Sequence, residues 1–464
     1  MITTLAATGL IAAFMQTVVT PIIPELPTLL STTSADASWV LTATLLAAAI
    51  STPISGRLGD MYGKRRIMLG LLMIMTVGCV IAAVANTLIP MVIGRVFQGV
   101  GLGVIALGIS ILRDVIHPKN LGGAVALVSA TLGVGGALGL PLAATIAQYL
   151  DWHFLFWLST MFSVIAIITV ATIIPVSTLR SGGRFDLVGA LGLAVGLVSI
   201  LLAVSKGTEW GWASPLTLGL LGGGLAVLVA WGFFELRISN PLVDLRVATR
   251  RTVLLTNLAS ISVGFSFFVC TASLPIVLES PVASEVGLGL PLILASLCLM
   301  PLGLVMFLFS PIAARLSQAR GPRTSLILGG LIITVGFTLA VFFLDEVWHV
   351  ILVSTITGIG VGFAYAAMPT LIMRAVPPRE TAAANGLNSV MRTLGSTISA
   401  TVAGIILSSH VIVTNGVGTP SRDAFAYVFM LGAAVVLVGV VLALFIPRRF
   451  PTYDTQSIPV QSIS

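Results

Sequence analysis

Long apolar runs separated by short polar gaps make up almost the whole chain. Fourteen of these runs contain about 17–25 residues, the length that an α-helix needs to cross a hydrocarbon core of about 30 Å. Since that core holds no water, each backbone polar group must be bonded within its own segment, which requires helices. The pattern therefore predicts an all-α integral membrane protein with fourteen transmembrane helices, numbered here as spans 1–14. The predicted spans are 3–23, 38–56, 67–85, 89–110, 123–146, 154–175, 187–205, 215–234, 253–275, 289–309, 323–343, 350–372, 385–408 and 425–446.

Basic residues lie in every second gap between the spans. Of the 23 Lys and Arg residues, 19 fall in the even-numbered gaps or the C-terminal tail, whereas the odd-numbered gaps contain only Lys206 and Arg422. Because cytoplasmic loops carry the excess of basic residues, the even gaps and both termini are predicted to be cytoplasmic, in a plasma membrane. The net charge of +7 then reflects topology, and we expect no nucleic-acid partner.

Several other classes of protein are disfavoured. Cys79, Cys270 and Cys298 lie far apart within spans and lack metal-site spacing, so we expect neither a metal nor a cofactor. The sequence has no metalloprotease motif, no nucleophile with a base and no phosphate-binding loop, which argues against an enzyme and against an ATP-driven pump. The first apolar run lacks preceding basic residues and is long for a secretion signal, so we expect it to be retained.

The chain contains an internal repeat. Five residues around the gap after span 2 recur 258 positions later, after span 10. They are Pro53, Arg57, Leu58, Gly63 and Arg65, which correspond to Pro311, Arg315, Leu316, Gly321 and Arg323. Glycine-rich stretches in spans 4 and 12 show a weaker similarity to each other. The repeat predicts two six-span halves, 1–176 and 253–446, with two inserted spans in 177–252 and a cytoplasmic tail at 447–464.

The stretch 56–66 contains the first motif that indicates a functional role. Two glycines, Gly59 and Gly63, permit a tight turn, and Asp60 at a helix boundary can accept charge-assisted hydrogen bonds. The stretch resembles the signature G-x-L-[AG]-D-x-x-G-[RK]-[RK] of the major facilitator superfamily without a mismatch. The resemblance implies a conformational latch that joins the halves in one access state, although an ordinary basic loop is the alternative. The predicted latch residues are Gly56, Asp60, Gly63, Lys64 and Arg65.

Two arginines lie within spans. Arg95 and Gln98 of span 4 are similar to the family's R-x-x-Q-G motif, which implies a part in proton transfer. A charge at this depth costs about 2.5–3.5 kcal/mol, so Arg95 should face a cavity or a partner, unless it extends to the outer headgroups. Asn388 and Arg392 of span 13 resemble the N-x-x-R-x-L-G pattern of the fourteen-span drug/proton antiporters.

Span 5 provides an indication of transport direction. Gly135 and Gly139 have the G-x-x-x-G spacing that lets helices approach closely, and Pro141 loosens the next turn. These residues resemble the antiporter motif G-x-x-x-G-P-x-x-G-G, which is found in exporters. Two departures weaken the match, because Leu140 separates Gly139 from Pro141 and alanines replace the closing glycines.

The inserted spans strengthen the same resemblance, which runs through residues 1–450. Arg184-Phe185-Asp186 with Gly189 before span 7, Gly211-Trp212 before span 8, and Glu235-Leu236-Arg237 with Asn240-Pro241-Leu242-Val243-Asp244 after it look like the fourteen-span drug/proton antiporters. The resemblance implies a major facilitator fold and proton-coupled efflux of small amphipathic, drug-like molecules across a lipid bilayer. We expect the protein to be a monomer.

One departure concerns proton coupling. Members of that family usually have an Asp in span 1, whereas this chain has Gln16, and all 16 acidic residues fall in gaps, tails or at span edges. The nearest acids, Glu25 and Asp36, are therefore candidate proton carriers, although a solvated loop acid and a helix N-cap are the alternatives. Transport of a lipid or metabolite with weak or no coupling, or a membrane sensor without transport, remain open. Polar residues expected to line a substrate cavity are Gln16, Thr20, Asn257 and Asn388.

Overall fold

Helices account for nearly all of the regular structure. The computed structural model describes residues 1–23, 25–176, 184–238, 241–414 and 417–447. In this part of the chain, fourteen helical spans are long and apolar enough to cross a membrane, so the predicted number is confirmed. The spans are Ile2–Thr17, Trp39–Tyr62, Lys64–Ala83, Leu88–Gly101 with Val104–Val115, Pro118–Tyr149, His153–Ile173, Leu187–Trp210, Pro215–Glu235, Arg251–Glu279, Leu292–Arg320, Pro322–Phe342, Val347–Ala375, Thr381–Ser409 and Arg422–Leu444.

Short elements connect some of the spans. A 3-10 turn at Thr20–Ile22 extends span 1, and another at Pro378–Glu380 precedes span 13. Short helices of four residues form at Leu26–Leu29, Ser34–Ala37 and Leu245–Ala248. Between spans 13 and 14, strands β1 (Val411–Thr414) and β2 (Val417–Pro420) pair in antiparallel register. The sequence analysis did not predict this hairpin. Most of the tail 447–464, together with Arg180 and Asn240, lies outside the described residues.

Spans 2 and 10 continue as helices beyond their predicted ends, to Tyr62 and Arg320. Each then ends at a glycine with positive φ, 106° at Gly63 and 88° at Gly321. Side chains rarely adopt this backbone region, so a glycine is favoured at both turns. These glycines occupy equivalent positions of the internal repeat and end equivalent helices, which supports the repeat.

The latch motif therefore lies mainly on a helix. The prediction that Gly59 forms part of the turn was wrong, because Gly59 lies within span 2. A Cβ there would overlap the Leu107 side chain of span 4. Its role is close packing of helices, and Gly63 alone provides the turn.

The two halves meet along two seams. Span 5 packs along span 10, and span 2 packs along span 13. In the first seam, a Cβ on Gly303 would overlap the Gly133 carbonyl group. In the second, a Cβ on Gly386 would lie 2.9 Å from the Thr52 carbonyl oxygen. Both seams thus depend on glycines that let the backbones of opposite halves approach closely.

Inserted span 7 lies against the second seam and contacts both halves. Ser205 Oγ lies 3.1 Å from Thr42 Oγ1 of span 2, and the Val204 carbonyl oxygen accepts a 2.8 Å hydrogen bond from Thr401 of span 13. The helix continues to Trp210, so Lys206, which we assigned to an outer gap, lies within it and is buried. Span 8 packs mainly on span 7.

The first seam generates a prediction about stability. Gly303→Ala should force spans 5 and 10 apart and lower the stability by about 1–3 kcal/mol, the usual cost of overpacking. Thermal unfolding of the purified protein measures the effect. Gly404→Ala is the matched control, because a Cβ at Gly404 would have no atom within 4 Å. Equal unfolding temperatures for both variants would contradict the close contact between these spans.

Candidate functional site

A hydrogen bond from one half to the other forms around Asp60, at the end of span 2. Its side chain is 1% exposed, and Oδ2 accepts a 3.1 Å hydrogen bond from the backbone N–H of Ala383. Ala383 lies in the first turn of span 13, where backbone N–H groups lack partners within the helix and carry a partial positive charge. The predicted latch residue thus joins the N-terminal half to the C-terminal half.

Two further side chains surround the Asp60 carboxylate. Lys64 is buried, and its Nζ lies 2.8 Å from Asp114 Oδ1 and 3.8 Å from Asp60 Oδ1. Since a buried charge without a partner is costly, these contacts hold the ends of spans 2, 3 and 4 together. Gly56 lies one turn before Asp60, and a Cβ there would lie 2.6 Å from the Ala382 carbonyl oxygen. A side chain at Gly56 would therefore push span 13 away from Asp60.

Arginines add bonds at the same end. Arg113 of span 4 donates to Thr381 Oγ1 at 2.6 Å and to the Val376 carbonyl oxygen at 3.2 Å. Both acceptors belong to the opposite half, so Arg113 is a second bridge. In the sequence, the basic charge of Arg113 was its only visible feature, and it did not indicate this role. Arg65, in contrast, donates to the Ala171 carbonyl group of its own half, so the structure does not place it between the halves.

We call the end of the bundle that carries Arg57, Lys64, Arg113 and Arg250 the basic end. Its bonds between the halves close the bundle there. Glu380, just before span 13, borders the same region. Burial raises the pKa of the Glu380 carboxyl, and the Asp244 carboxylate raises it further, whereas Arg57 and Arg250 lower it. The basic end therefore combines bridging bonds with a carboxyl group that is easier to protonate than usual.

Arg95 lies inside the N-terminal half rather than in a cavity. It is 0% exposed; Nε donates to the Val40 carbonyl oxygen at 3.2 Å and Nη1 to that of Met15 at 3.1 Å. Nη1 also donates to Gln98 Oε1 at 2.6 Å, and Gln98 Nε2 donates to Cys79 Sγ. The Met15 carbonyl is near the end of the span 1 helix, where carbonyl groups need external donors. Of the predicted alternatives for Arg95, the structure shows partners rather than a cavity, with Gln98 as one of them, and it excludes extension to the headgroups.

Polar residues of spans 9 and 13 are buried as well. Asn388 Nδ2 donates to Asn257 Oδ1 at 2.9 Å and to Ser260 Oγ at 2.7 Å. The prediction that both Asn side chains line a cavity is therefore wrong in this conformation, because they bond neighbouring helices of one half.

Arg392 is the intramembrane cation of the other half. Its guanidinium carbon lies 4.8 Å from the centroid of the Tyr365 ring, and Nη2 donates to Ser389 at 3.0 Å. Nη1 has no hydrogen-bond partner among the described residues. A donor thus remains available on this buried side chain.

The side chains around the end of span 1 are exposed. They are those of Gln16, Thr20 and Glu25. Asp36 is also exposed and is not an N-cap. Its Oδ2 accepts a 2.8 Å hydrogen bond from Thr33, and its N–H donates to Thr33 Oγ1, so Thr33 caps the short helix. This reciprocal arrangement resembles a capping box, a structural role for Asp36.

The glycines of span 5 pack within one half. A Cβ on Gly135 would lie 2.6 Å from the Leu10 carbonyl oxygen of span 1, and one on Gly139 would lie 2.5 Å from Thr17 Oγ1. Pro141 lies within the continuous helix Pro118–Tyr149. The contact between halves instead uses Gly133, which the motif comparison did not single out.

Two repeated six-helix halves that contact across seams and are bonded together at one end define a membrane transporter of the repeated-half class. The chain belongs to the Major Facilitator Superfamily, whose family model matches residues 5–320 and 256–460. It is therefore a multi-pass transporter of small molecules and not an enzyme, as predicted.

Individual relatives support this assignment. The chain is 25% identical over 459 residues to lincomycin resistance protein LmrB of Listeria monocytogenes, covering 95% of each protein. It is 30% identical over 274 residues to uncharacterized MFS-type transporter Rv1877 of Mycobacterium tuberculosis, a match that spans 58% of this chain and only 39% of that relative. The crystal structure of the human organic anion transporter MFSD10 (TETRAN) shares the fold, with a TM-score of 0.64 and 15% identity over 95% of this chain and 98% of that one.

Asp60→Asn tests the bridge between the halves. The change keeps the shape but removes the charge, and a hydrogen bond to a charged group contributes roughly 1.5–3 kcal/mol. We expect the basic end to open more often, by a factor of about 10–100, and transport to fall accordingly. Spin labels on spans 2 and 13 measure the opening, with the exposed Asp423→Asn as the control. Unchanged distances and unchanged transport at equal abundance would contradict the latch.

Arg95 allows a separate test within one half. Arg95→Ala leaves the Val40 and Met15 carbonyl groups and Gln98 without their shared donor, so we expect transport to be lost. Arg95→Lys keeps the charge but not the planar geometry and should retain part of the activity. Efflux at matched membrane abundance distinguishes the variants. Normal efflux by Arg95→Ala would show that these bonds are dispensable.

Proposed function

We propose that the protein is a proton-coupled exporter of small amphipathic, drug-like molecules, with the basic end and both termini in the cytoplasm of a bacterial-type plasma membrane. The observation that carries this proposal is the hydrogen bond from Ala383 to Asp60, which closes the basic end between the halves. With basic residues on the cytoplasmic side, this conformation is closed to the cytoplasm. We propose that it acts as a monomer in the bilayer, with the units 1–176, 177–252 and 253–446.

The transport cycle follows from the positions of the bridges. Opening toward the cytoplasm requires the bonds of Asp60 and Arg113 to the opposite half to break, while the glycine contact between Gly133 and Gly303 lets spans 5 and 10 rock against each other. A substrate bound between the halves then gains access to the other side when the bonds re-form. Each bond is local, so breaking them does not unfold either half.

The chemistry of the substrate is suggested by the charges within the bundle. An amide such as Gln16 neither titrates near neutral pH nor offers a negative charge to a cation. Arg392 retains an available donor and lies against an aromatic ring. We therefore favour neutral, zwitterionic or anionic substrates over cations. The resistance function in the name of LmrB supports export of a small molecule.

A second function is an uncoupled or weakly coupled carrier of a lipid or metabolite. The exposed Gln16 favours it, because an amide in span 1 cannot carry a proton as a carboxyl group would. Reconstitution in vesicles separates the two functions: a proton-coupled exporter responds to an imposed pH gradient and to a protonophore, whereas an uncoupled carrier follows the substrate gradient alone.

Gln16→Asp tests the selectivity. The new carboxylate adds a negative charge and a titratable group, so uptake of a cationic dye into inverted vesicles should rise relative to a neutral dye and should depend more strongly on pH. Gln148→Asp is the control for added charge, because Gln148 is an exposed residue near the end of span 5 that lies away from the basic end. Strong proton-driven transport of a dication by the native protein, also with Glu25→Gln and Asp36→Asn together, would contradict the proposed selectivity.

A further inference from the structure

Two carboxyl groups lie side by side where the inserted spans meet the basic end. Asp186 precedes span 7, and Glu235 is the last residue of span 8. A Cβ on Gly189 would overlap both Asp186 Oδ2 and Glu235 Oε1, so the two oxygens border the same small space. A glycine at this position therefore lets the two carboxyl groups approach each other.

Glu235 is buried and Asp186 is partly buried, and among the described residues no cation forms an ion pair with either. Glu235 is 2% exposed, and neither of its oxygens nor Asp186 Oδ2 has a hydrogen-bond partner among the described residues. Asp186 Oδ1 accepts the Gly189 N–H at 2.8 Å and caps span 7. The amide groups of Leu242 and Val243 and the Trp231 indole are near Glu235 but do not meet hydrogen-bond geometry. Two adjacent carboxylates would repel each other, and among the described residues only the Gly189 N–H donates to the pair.

The charged side chains near this carboxyl pair are exposed or bond to other groups. Arg184 and Arg237 are exposed. Arg246 donates to the Leu236 carbonyl oxygen at 2.9 Å, and its N–H donates to Asp244 Oδ1. In the part of the chain that the structure describes, no group of three or more metal-ligating side chains exists, which disfavours a metal ion between the carboxyl groups.

We propose that Asp186 and Glu235 form a proton-binding site, in which one proton is shared between the two carboxyl groups. A single proton removes the repulsion and supplies the missing donor, as in other close carboxyl pairs. The pair titrates as a unit. One shared proton joins two of the three unpaired oxygens, in a space too small for a Cβ.

The surroundings of the site connect it to span 13. Leu242 and Val243, next to Glu235, pack in one apolar cluster with Ala190 of span 7 and Val390 of span 13. Asp244 follows directly and acts electrostatically on Glu380, at the start of span 13. Loss of the proton would therefore disturb the contact of this linker with the helix that Asp60 holds. This transport consequence, unlike proton binding itself, rests on the proposed proton-coupled export.

Infrared spectroscopy of the full chain in lipid nanodiscs tests the site directly. We expect that a part of the carboxylic-acid C=O band that titrates with pH, equal in intensity to one group per protein, belongs to this pair. Glu235→Gln and Asp186→Asn should each remove it; Asn also preserves the cap of span 7. Asp423→Asn, on an exposed acid, should leave it unchanged. A band of equal intensity in the native protein and in Glu235→Gln would overturn the proposal.

Thermal unfolding provides an independent readout. A proton held in the folded protein but released on unfolding makes stability fall as pH rises, and this slope should decrease in Glu235→Gln. If sodium chloride stabilises the native protein at alkaline pH more than choline chloride, and Glu235→Gln abolishes the difference, the site binds a metal cation and the proton assignment is wrong. Neither measurement requires transport, so failure of proton-driven export in vesicles would refute the proposed function without deciding the fate of this site.

Discussion

A hydrogen bond between a carboxylate of one half and the helix terminus of the other joins the two halves at the basic end. Asp60 and Ala383 are 323 residues apart in sequence, yet both are buried at the basic end. The Ala383 N–H has no partner within its own helix because it lies in the first turn, and the buried Asp60 carboxylate needs a donor. The C-terminal half thus supplies the hydrogen-bond donor and the N-terminal half the acceptor. The bond can be exchanged for hydration when the basic end opens, which makes it suitable for a reversible contact.

Glycines determine whether that bond can form. Gly56 and Gly386 let spans 2 and 13 approach until their backbones are in contact, and Gly133 with Gly303 does the same for spans 5 and 10. In a membrane, helices associate through close packing and polar contacts rather than through a hydrophobic driving force. The absence of side chains at these positions therefore has the same importance as the charged groups.

The sequence predicted the fold well because the bilayer imposes a length and a charge pattern that can be recognised without tertiary information. It also located Asp60, since the order of glycines and charges around it is distinctive. It did not predict that Arg113 binds Thr381, because an arginine in a loop looks the same whether it follows topology or bridges two halves. Asn257 and Asn388 were expected to line a cavity and Arg95 to face a cavity or a partner, since polarity within a span indicates only that a partner is needed. Their partners turned out to be a helix end and neighbouring helices, which only the packing reveals.

The inserted spans occupy a position from which they can influence both halves. Near the end opposite to the basic end, span 7 bonds to Thr42 and Thr401; near the basic end, the linker after span 8 packs against Val390. The inserted unit therefore contacts the second seam at two levels. At the basic end, the carboxyl groups of Asp186 and Glu235 lie close to the linker but far in sequence from the Asp60 contact. A change in charge there acts on span 13 through packing, without altering any bond of the latch itself. An inserted pair with these contacts is more than a connector between two repeated halves.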